Sequence, residues 1–450
     1  MSIREPMPML DLAVRCRSFD EVNLGLTAAQ AQAEAQRCQS CASAPCAEAC
    51  PLGNDIPSFL AAIADGRFAD AVFQSSVPLT AVCGRVCYRP CERACLLNLK
   101  SEGVAINALE RFAADSRLAF EERPTAACRE RVAIVGSGPA GAACAYDLRR
   151  AGCRVAVFEA APVPGGMLWL GIPAYRLPRD IINNEFDVLR KLGVHFVFNH
   201  PIGPALPLDL LQRGFDAVFV AVGAHRGRKL GVPGDDAPGV VDAVAFLRRV
   251  NLGNVEVPGK RVVIVGGGDS AMDTARTAIR LGCEKVTILY RRSRNEMPAN
   301  PGELEEAEAE GVEVILLAAP TRVITNGDGR VNALECVRMR LGAPDSSGRA
   351  RPEPMAGSEF LLETDCVIPA VSQDPDLAAL PADPTLKRSR WETLEVNAQT
   401  LETSMPGVFA GGDAVSGPRT VAEAMAMGRK AAATIVDYLI RRSGGSPQNL

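Results

Sequence analysis

The spacing of apolar residues along the chain changes near residue 130. Before it, the segments LTAAQAQAEAQRC, in which Thr27 is a predicted N-cap, and INALERFAADSRLAF have the spacing of helices. After Arg131, short apolar runs alternate with Ala-rich segments of helical spacing. Short apolar runs bounded by turn residues are typical of strands. The chain is therefore predicted to be α/β, with a helical N-terminal domain.

The strand–helix pattern contains an internal repeat. RVAIVGSGPAGAACAYDLRRAGCRVAVFEA predicts a strand, a glycine turn, a helix and a second strand, and RVVIVGGGDSAMDTARTAIRLGCEKVTILYRR has the same plan. Further along, TRVITNGDGRVNALECVRMRL predicts a β-hairpin, and GVFAGGDAV predicts a strand and a tight turn before a long helix. A duplicated βαβ unit predicts two Rossmann-like dinucleotide-binding domains.

The glycine turn of the first unit has the pattern G-x-G-x-x-G. The first glycine permits a tight turn, the second lets the backbone approach a pyrophosphate, and the third lets the helix pack closely on the strand. Glu159, at the end of the next strand, is predicted to accept hydrogen bonds from ribose hydroxyls. Close packing of helix and strand alone is the alternative explanation. The candidate residues of this turn are Gly136, Gly138, Pro139, Ala140 and Gly141.

The second unit differs from the first at the end of its second strand. Tyr290 occupies the position of Glu159, and arginines follow it. A carboxylate there would repel a 2′-phosphate, whereas guanidinium groups would bind one, so the pattern favours NADP(H), with NAD(H) as the alternative. The alternative is that these arginines form a solvated basic turn without a nucleotide contact. The candidate residues are Gly266, Gly267, Gly268, Asp269, Ser270, Arg291 and Arg292.

Two dinucleotide folds in one chain predict a flavin in one and a nicotinamide nucleotide in the other. An aspartate in the C-terminal GGD turn can bind a ribityl chain, and the N-terminus of the next helix favours the negative charge of a reduced flavin ring. The FAD domain is therefore predicted to be discontinuous, with the NAD(P)H domain inserted in it. The remaining candidate flavin-binding residues are Gly166, Met167, Leu168, Gly412, Asp413, Thr420 and Val421.

Two N-terminal bursts contain about half of the 15 cysteines. The first burst has the pattern C-x2-C-x4-C-x3-C-P, and the second has four cysteines at intervals of four. The first pattern is similar to the ferredoxin arrangement, in which three close cysteines bind one cluster and the fourth, before proline, binds another. Two [4Fe–4S] clusters with exchanged ligands are therefore predicted. Structural zinc is one alternative, because four-cysteine zinc sites also use C-x2-C, and structural disulfides are another.

The bulk composition excludes several functional classes. The 450 residues are 47% hydrophobic and carry a formal net charge of −4, which gives no sign of a nucleic-acid-binding surface. No segment has the roughly 18 uninterrupted apolar residues that a membrane span needs, and we find no secretory signal. We therefore expect a cytoplasmic protein whose clustered thiols bind metal or iron–sulfur.

Together these motifs resemble the small-subunit (beta-chain) family of NADPH-dependent glutamate synthase. The same module forms the N-terminal part of dihydropyrimidine dehydrogenase and the large subunit of bifurcating ferredoxin:NADP oxidoreductases. The resemblance rests on both cysteine bursts and on IVGSGPAG, PGGMLWLGIPAYRLP, VIVGGGDSAMD, YRRSRNEMPA and GVFAGGDAVSGPRTVAEAMAMGRKAA. It implies an oxidoreductase that contains FAD and two [4Fe–4S] clusters and uses NADPH.

The resemblance also implies which residues hold the two clusters. The ligands of cluster one would be Cys38, Cys41, Cys46 and Cys95. Those of cluster two would be Cys50, Cys87, Cys91 and Glu110, because the family has Gln or Glu at the last position. Cys83 would then be a non-ligand. The sequence departs from several family members in having three residues, rather than five, between Cys87 and Cys91.

These observations predict an electron-transfer flavoprotein subunit that passes electrons between NAD(P)H and the redox centres of a partner subunit. One alternative is the glutamate synthase small subunit itself. A disulfide or quinone reductase is another, although no C-x-x-C occurs in either nucleotide domain. A zinc-stabilised scaffold is the third. The predicted segments are an iron–sulfur domain (1–120), a linker (121–130), the FAD domain (131–258 and 366–440), the NAD(P)H domain (259–365) and a flexible tail (441–450).

Overall fold

The structure is a computed structural model that describes residues 3–68, 70–71, 78–116, 130–345, 348–382 and 384–442. The predicted linker, apart from Glu130, and the predicted tail beyond Arg442 lie outside the described residues. The helices are α1 (Leu12–Arg15), α2 (Ala28–Ala35), α3 (Pro45–Ala49), α4 (Ile56–Ala64), α5 (Thr80–Val86), α6 (Pro90–Arg93), α7 (Ile106–Asp115), α8 (Pro139–Arg150), α9 (Met167–Leu170), α10 (Arg179–Lys191), α11 (Leu208–Gly214), α12 (Ala243–Asn251), α13 (Asp269–Arg280), α14 (Pro301–Ala309), α15 (Asp413–Ser416) and α16 (Val421–Arg442). Short 3₁₀ helices lie at Leu96–Leu99 and Arg294–Glu296.

The strands are β1 (Arg131–Val135), β2 (Arg154–Phe158), β3 (His195–Val197), β4 (Ala217–Val220), β5 (Arg226–Gly227), β6 (Arg261–Val265), β7 (Lys285–Tyr290), β8 (Glu313–Leu316), β9 (Ala318–Thr325), β10 (Val331–Pro344), β11 (Ala350–Glu363), β12 (Cys366–Pro369), β13 (Gln373–Asp374) and β14 (Val408–Ala410). The predicted α/β class is confirmed. Among the residues described, no helix is both long and apolar enough to cross a membrane.

The N-terminal domain consists of short helices around a small core. Thr27 caps α2, and its side chain and that of Gln30 each accept a hydrogen bond from the other residue's backbone N–H. The apolar faces of α2, α4 and α7 meet in a core that includes Phe59 and Leu109. The cysteine-bearing segments lie around this core, so the helices hold them in fixed positions.

The first sheet is parallel and has the order β14-β4-β1-β2-β3. The four residues that follow Arg131 in β1 are buried, as expected for a strand covered on both faces. Helices α8 and α16 pack against each other, and Gly428 permits this because a Cβ there would lie 2.1 Å from the carbonyl oxygen of Ala140. Because β14 and α16 come from the C-terminal part of the chain, the predicted discontinuity of the first Rossmann-like domain is confirmed.

The second parallel sheet has the order β12-β6-β7-β8, and a separate antiparallel sheet has the order β11-β10-β9. The predicted hairpin is confirmed, since β9 and β10 pair on either side of the turn that begins at Asn326. Its third strand, β11, contains Pro352 and Pro354, which an edge strand tolerates because it has one unpaired side.

The second sheet and its core include residues on both sides of the range 259–365. Strand β12 pairs with β6, and Phe246 and Leu247 of α12 lie in the core beneath the second sheet. The short ribbon of β5 and β13 lies where the chain passes between the two Rossmann-like domains. We therefore propose that the inserted domain runs from β5 to β13, rather than from residue 259 to 365.

The N-terminal domain packs against the first Rossmann-like domain. Leu79, Val82 and Cys83, at and within α5, belong to the same apolar core as α8 and α16. The backbone N–H of Ala81 also donates to the carboxylate of Glu185 in α10, at 2.7 Å. The second cysteine burst is therefore adjacent to the first nucleotide fold.

Candidate functional site

The three glycines of the first turn occupy three different environments. Gly136 has a φ of +101°, and a Cβ there would lie 2.4 Å from the carbonyl oxygen of Ala221. A Cβ on Gly141 would lie 2.0 Å from the carbonyl oxygen of Gly136, so this position holds the helix against the strand. A Cβ on Gly138 would meet nothing within 4 Å. The backbone at Gly138 is therefore open to the approach of a phosphate group.

The first turn opens into a cleft of about 310 Å³, which is within the size range of small-molecule sites. The cleft is formed by both chain segments of the first Rossmann-like domain. The predicted flavin-site residues that line it are Gly136, Gly138, Pro139, Ala140, Glu159, Gly166, Met167, Leu168, Gly412, Asp413, Thr420 and Val421. Gly141 lies behind the turn, where it packs helix α8 onto β1.

Glu159 is bound by protein donors at the end of β2. Its Oε2 accepts from the backbone N–H and the hydroxyl of Ser137, at 2.8 and 2.6 Å, and its Oε1 accepts from Ala161 N–H at 2.8 Å. A carboxylate oxygen has two lone pairs, so Oε1 can accept a further bond from a ribose hydroxyl. The role of Ser137 was not predicted. Its position between two glycines of the motif is the only sequence signal for it.

The C-terminal wall of the cleft is built around Asp413 and the start of α16. Asp413 Oδ1 accepts from Arg419 N–H at 3.2 Å, and burial raises the pKa of this carboxyl group to about 6. Thr420 caps α16 through reciprocal bonds with Glu423, in which Glu423 N–H donates to the Thr420 hydroxyl at 3.2 Å. The N-terminus of a helix of 22 residues therefore faces the cleft, where its dipole favours negative charge.

Ile172, in the segment PGGMLWLGIPAYRLP that carries the family resemblance, also lines the cleft, and so does His225, which was not predicted. Burial lowers the pKa of His225, which favours a neutral imidazole beside the first turn. His225 lies in the loop after β4, and no motif marks it. Only the fold brings it to the cleft.

The second glycine turn has the same backbone plan with different neighbours. Gly266 has a φ of +154°, and a Cβ there would lie 2.3 Å from the carbonyl oxygen of Ala370. Gly267 packs on the ring of Tyr290, which a Cβ would approach to 2.5 Å. Gly268 precedes α13, whose first residue, Asp269, accepts from Asn300 N–H at 2.9 Å. The turn thus presents a helix N-terminus, as a pyrophosphate site requires.

The arginines after β7 have different environments. Arg291 is exposed. The Arg292 side chain is only 5% exposed and pairs with Asp345 at 2.7 Å, while its Nε donates to the carbonyl oxygen of Ala350 at 2.8 Å. Arg292 therefore anchors the long hairpin of β10 and β11, and Arg291 is the better placed of the two to meet a 2′-phosphate.

The four cysteines assigned to cluster one by the resemblance line one small cavity in the N-terminal domain. Cys38, Cys41, Cys46 and Cys95 share this cavity with apolar residues that include Leu60 and Ile106. Burial raises the pKa of the Cys38 and Cys46 thiols. The second burst supplies one ligand, Cys95, to a site otherwise formed by the first.

The residues assigned to cluster two line a second cavity. Cys50, Cys87, Cys91 and Glu110 surround it, so its residues also come from both bursts. Burial, with a contribution from the charge of Glu92, raises the pKa of Glu110 to about 8, and burial raises that of Cys87 to about 11. Cys83 also borders this cavity, but its sulfur lies 3.7 Å from that of Met425.

The donor set of both cavities fits iron–sulfur clusters. The thiols surround cavities, as they would around a cluster that is larger than one ion. Thiolates are the usual ligands of [4Fe–4S] clusters. Of the predicted ligands, only Glu110 is an oxygen donor.

The second cavity and the cleft at the first glycine turn meet at the start of α16. Ala422 borders the second cavity, whereas Thr420 and Val421 line the cleft. Consecutive residues in the first turn of α16 therefore border the two sites. The chain therefore has a nucleotide cleft next to a thiol-lined cavity, followed by a second thiol-lined cavity in the same helical domain.

Two Rossmann-like folds with adjoining thiol-lined cavities define a nucleotide-dependent oxidoreductase. Residues 130–428 match the family described as pyridine nucleotide-disulphide oxidoreductase, and residues 15–122 match dihydropyrimidine dehydrogenase domain II, 4Fe-4S cluster. The chain belongs to the pyridine nucleotide-disulphide oxidoreductase family, and within it to the group that includes the glutamate synthase small chain. Sites for FAD, NAD(P)H and a [4Fe–4S] cluster follow from these matches.

Two relatives show how the module is used elsewhere. The chain is 37% identical to the glutamate synthase [NADPH] small chain of Escherichia coli, with 96% of each chain covered. It is 44% identical to the NADP(+)-dependent formate dehydrogenase subunit beta of Moorella thermoacetica, over 90% of this chain and 61% of the relative. The chain thus spans less than two thirds of the length of that longer relative.

A solved structure shares the fold. FprA of Mycobacterium tuberculosis in complex with NADPH superposes with a TM-score of 0.59 and 21% identity, covering 70% of this chain and 86% of that one. At this identity the likeness concerns the fold of the two Rossmann-like domains.

Proposed function

We propose that this chain is the nicotinamide-handling subunit of a larger redox complex. It passes electrons between NAD(P)H and the redox centres of a partner subunit through FAD and two [4Fe–4S] clusters. The single observation that carries this proposal is the adjacency of the flavin cleft and the second thiol-lined cavity at Thr420–Ala422. FAD, when bound, accepts a hydride from NAD(P)H and releases electrons singly to one-electron centres, which is the chemistry the flavin supplies.

The residues of the chain bind and orient the two nucleotides. Gly136 and Gly138 admit the pyrophosphate of FAD, and Glu159 and Asp413 accept from its ribose and ribityl hydroxyls. The N-terminus of α16 faces the flavin and stabilises negative charge on the reduced ring. Gly266 and Gly268 admit the pyrophosphate of the nicotinamide nucleotide, and Arg291 favours NADP(H) over NAD(H).

The thiol-lined cavities hold the clusters in a proposed order. Cluster two, on Cys50, Cys87, Cys91 and Glu110, is next to the flavin cleft. Cluster one, on Cys38, Cys41, Cys46 and Cys95, is bound in the same domain. Their sharing of ligands between the two bursts keeps the clusters close together in one small domain.

The glutamate synthase small subunit is the second candidate, because the chain matches that subunit over nearly its whole length. The relatives named as beta subunits of a formate dehydrogenase and of an NADPH-Fe(3+) oxidoreductase have higher identities, 44% and 41%. We therefore propose that this chain, like those beta subunits, works with a partner subunit, and that the partner carries metal or flavin centres. We also propose a cytoplasmic location, where clustered thiols are available to iron–sulfur clusters.

An anaerobic reductive titration tests this function. NADPH is added to the purified holoenzyme while flavin absorbance and the electron paramagnetic resonance signals of the clusters are recorded. We expect flavin bleaching together with cluster signals at less than a few equivalents of NADPH, and a weaker response to NADH. Bleaching of the flavin without any cluster signal, even with a low-potential reductant, would contradict the proposed electron path.

A further inference from the structure

The segment that follows Gly166 contacts both nucleotide domains. Its first part lines the flavin cleft through Met167, Leu168, Leu170 and Ile172. Its next turn, Tyr175 and Arg176, instead contacts α13, the helix that begins at the second glycine turn. A short stretch of chain therefore joins the wall of the flavin cleft to the helix that is proposed to hold the nicotinamide nucleotide.

Arg176 is held by two carboxylates of the inserted domain. Its Nη1 lies 2.8 Å from both carboxylate oxygens of Asp273, and its Nε lies 2.9 Å from Oε1 of Glu303. The side chains of Arg176 and Asp273 are 11% and 6% exposed, so solvent ions screen this contact little. A planar guanidinium can bridge two carboxylates in a fixed geometry that the single ammonium group of lysine does not reproduce.

Tyr175 reinforces the same junction. Its hydroxyl donates to the carbonyl oxygen of Asp273 at 3.2 Å, and its ring lies 3.8 Å from the guanidinium carbon of Arg280. The carbonyl oxygen of Tyr175 accepts from Val22 N–H at 2.9 Å, which ties the N-terminal segment to the junction. Tyr175 therefore joins the first Rossmann-like domain both to α13 and to the N-terminal segment.

We propose that Arg176 is a positioning residue that sets the distance between the nicotinamide nucleotide on α13 and the flavin in the first cleft. This inference rests on the proposed function. A misplacement of about 1 Å at a reacting pair can lower the rate about 100-fold, so a small shift of α13 has a large effect. Arg176 is not among the residues that line the flavin cleft. Its influence therefore passes through the segment it anchors.

The test compares the full-length holoenzyme with the variants Arg176→Lys and Asp273→Asn. Anaerobic stopped-flow reduction of the flavin by NADPH separates the limiting rate from the Kd for NADPH. We expect the limiting rate to fall about 10- to 100-fold in both variants, with the Kd changed less than about twofold and the FAD and iron contents retained. Arg261→Lys is the matched control, because Arg261 also bridges two carboxylates, Glu363 and Asp365, but within the inserted domain.

A second readout does not depend on activity. Hydrogen–deuterium exchange in the absence of NADPH should be faster in Arg176→Lys at residues 170–177 and in α13, and unchanged in α2 and α4. A wild-type limiting rate in both variants would overturn the proposal. So would a raised Kd at an unchanged rate, which would make Arg176 a nucleotide contact, or a loss of FAD with a normal rate per remaining flavin. Failure of NADPH to reduce the wild-type flavin would instead refute the proposed function itself, and this proposal with it.

Discussion

The two glycine turns of this chain share a backbone plan and differ in what surrounds it. In both, the first glycine lies so close to a carbonyl oxygen, that of Ala221 or of Ala370, that no Cβ fits. The third position is Gly141 in the first turn and Ala271 in the second. The βαβ plan supplies the turn, whereas the third position sets how closely the helix approaches the strand.

The ends of the second strands differ more. Glu159 binds back to the first turn through Ser137, while Tyr290 packs its ring beneath Gly267. The first strand end therefore places a carboxylate at the ribose position, and the second leaves this position without one. We expect this difference to assign FAD to the first turn and NADP(H) to the second.

The largest effect is expected from exchanging the third residues of the turns. In Gly141→Ala the new Cβ would lie 2.0 Å from a backbone oxygen that cannot move without opening the turn. We expect the affinity for FAD to fall more than about 100-fold, which is equivalent to about 3 kcal/mol of binding free energy. The reciprocal Ala271→Gly should cost about 1 kcal/mol of helix stability and retain NADP(H) binding. Flavin absorbance after gel filtration measures the retained FAD, and calorimetric titration with NADP⁺ measures nucleotide binding. Equal FAD retention in the two variants would refute the assignment of FAD to the first turn.

Glu159→Gln should have the next largest effect. The amide cannot accept at both ends, so one of the donors of Ser137 or Ala161 loses a charge-assisted bond, at a cost of about 1.5–3 kcal/mol. We expect the Kd for FAD to rise at least tenfold, as measured by quenching of flavin fluorescence on titration of apo-protein. Tyr290→Phe, which loses one neutral bond to the carbonyl oxygen of Glu296, is the control in the second unit. It should leave the Kd for FAD unchanged.

Asp413 should make FAD binding depend on pH. Burial raises its pKa to about 6, and the carboxylate form accepts ribityl hydrogen bonds more strongly than the neutral acid does. The carboxyl group takes up a proton as the pH falls through 6, so the Kd for FAD should rise about tenfold per pH unit below that value. Fluorescence titrations between pH 5 and 8 measure the effect. Asp413→Asn should flatten the profile, and a flat wild-type profile would exclude this role.

The smallest effect concerns the choice between NADP(H) and NAD(H). Arg291→Ala should raise the Kd for NADPH about fivefold, equivalent to about 1 kcal/mol, without changing that for NADH. Arg292→Ala should lower thermal stability instead, because it removes the ion pair between the buried Arg292 and Asp345. Isothermal titration with both nucleotides, alongside thermal denaturation, separates the two arginines. If the ratio of the Kd values for NADPH and NADH changed in Arg292→Ala alone, the contact to the 2′-phosphate would be assigned to Arg292 instead of Arg291.

The sequence predicted the local elements well because each has its signal in neighbouring residues. The capping residue Thr27, the hairpin at Asn326 and both glycine turns are determined within one or two elements. The junction at Tyr175 and Arg176 was not predicted, since it depends on how two domains pack. The same limit applies to Arg292, whose position beside a basic strand end predicted a phosphate contact although the fold pairs it with Asp345.

The cysteine spacing alone predicted clusters but not their ligand sets. Cys95 joins a cavity with Cys38, which is far from it in sequence, because the helical core brings the two bursts together. The ferredoxin-like spacing of the first burst predicted that the clusters exchange ligands, but only the resemblance to a family indicated which residues they exchange. It also singled out Glu110, whose place in the middle of a helix carries no metal-binding pattern. The identity of the exchanged ligands is a tertiary property, and spacing does not encode it.

The most direct test of the account is to count the redox centres in one anaerobically purified sample. Iron, acid-labile sulfide, zinc and FAD are measured per chain. Two [4Fe–4S] clusters and one flavin predict about eight irons, about eight sulfides and about one FAD. About four irons would show that the short spacing between Cys87 and Cys91 does not support the second cluster. Zinc in place of iron would contradict the electron-transfer function itself.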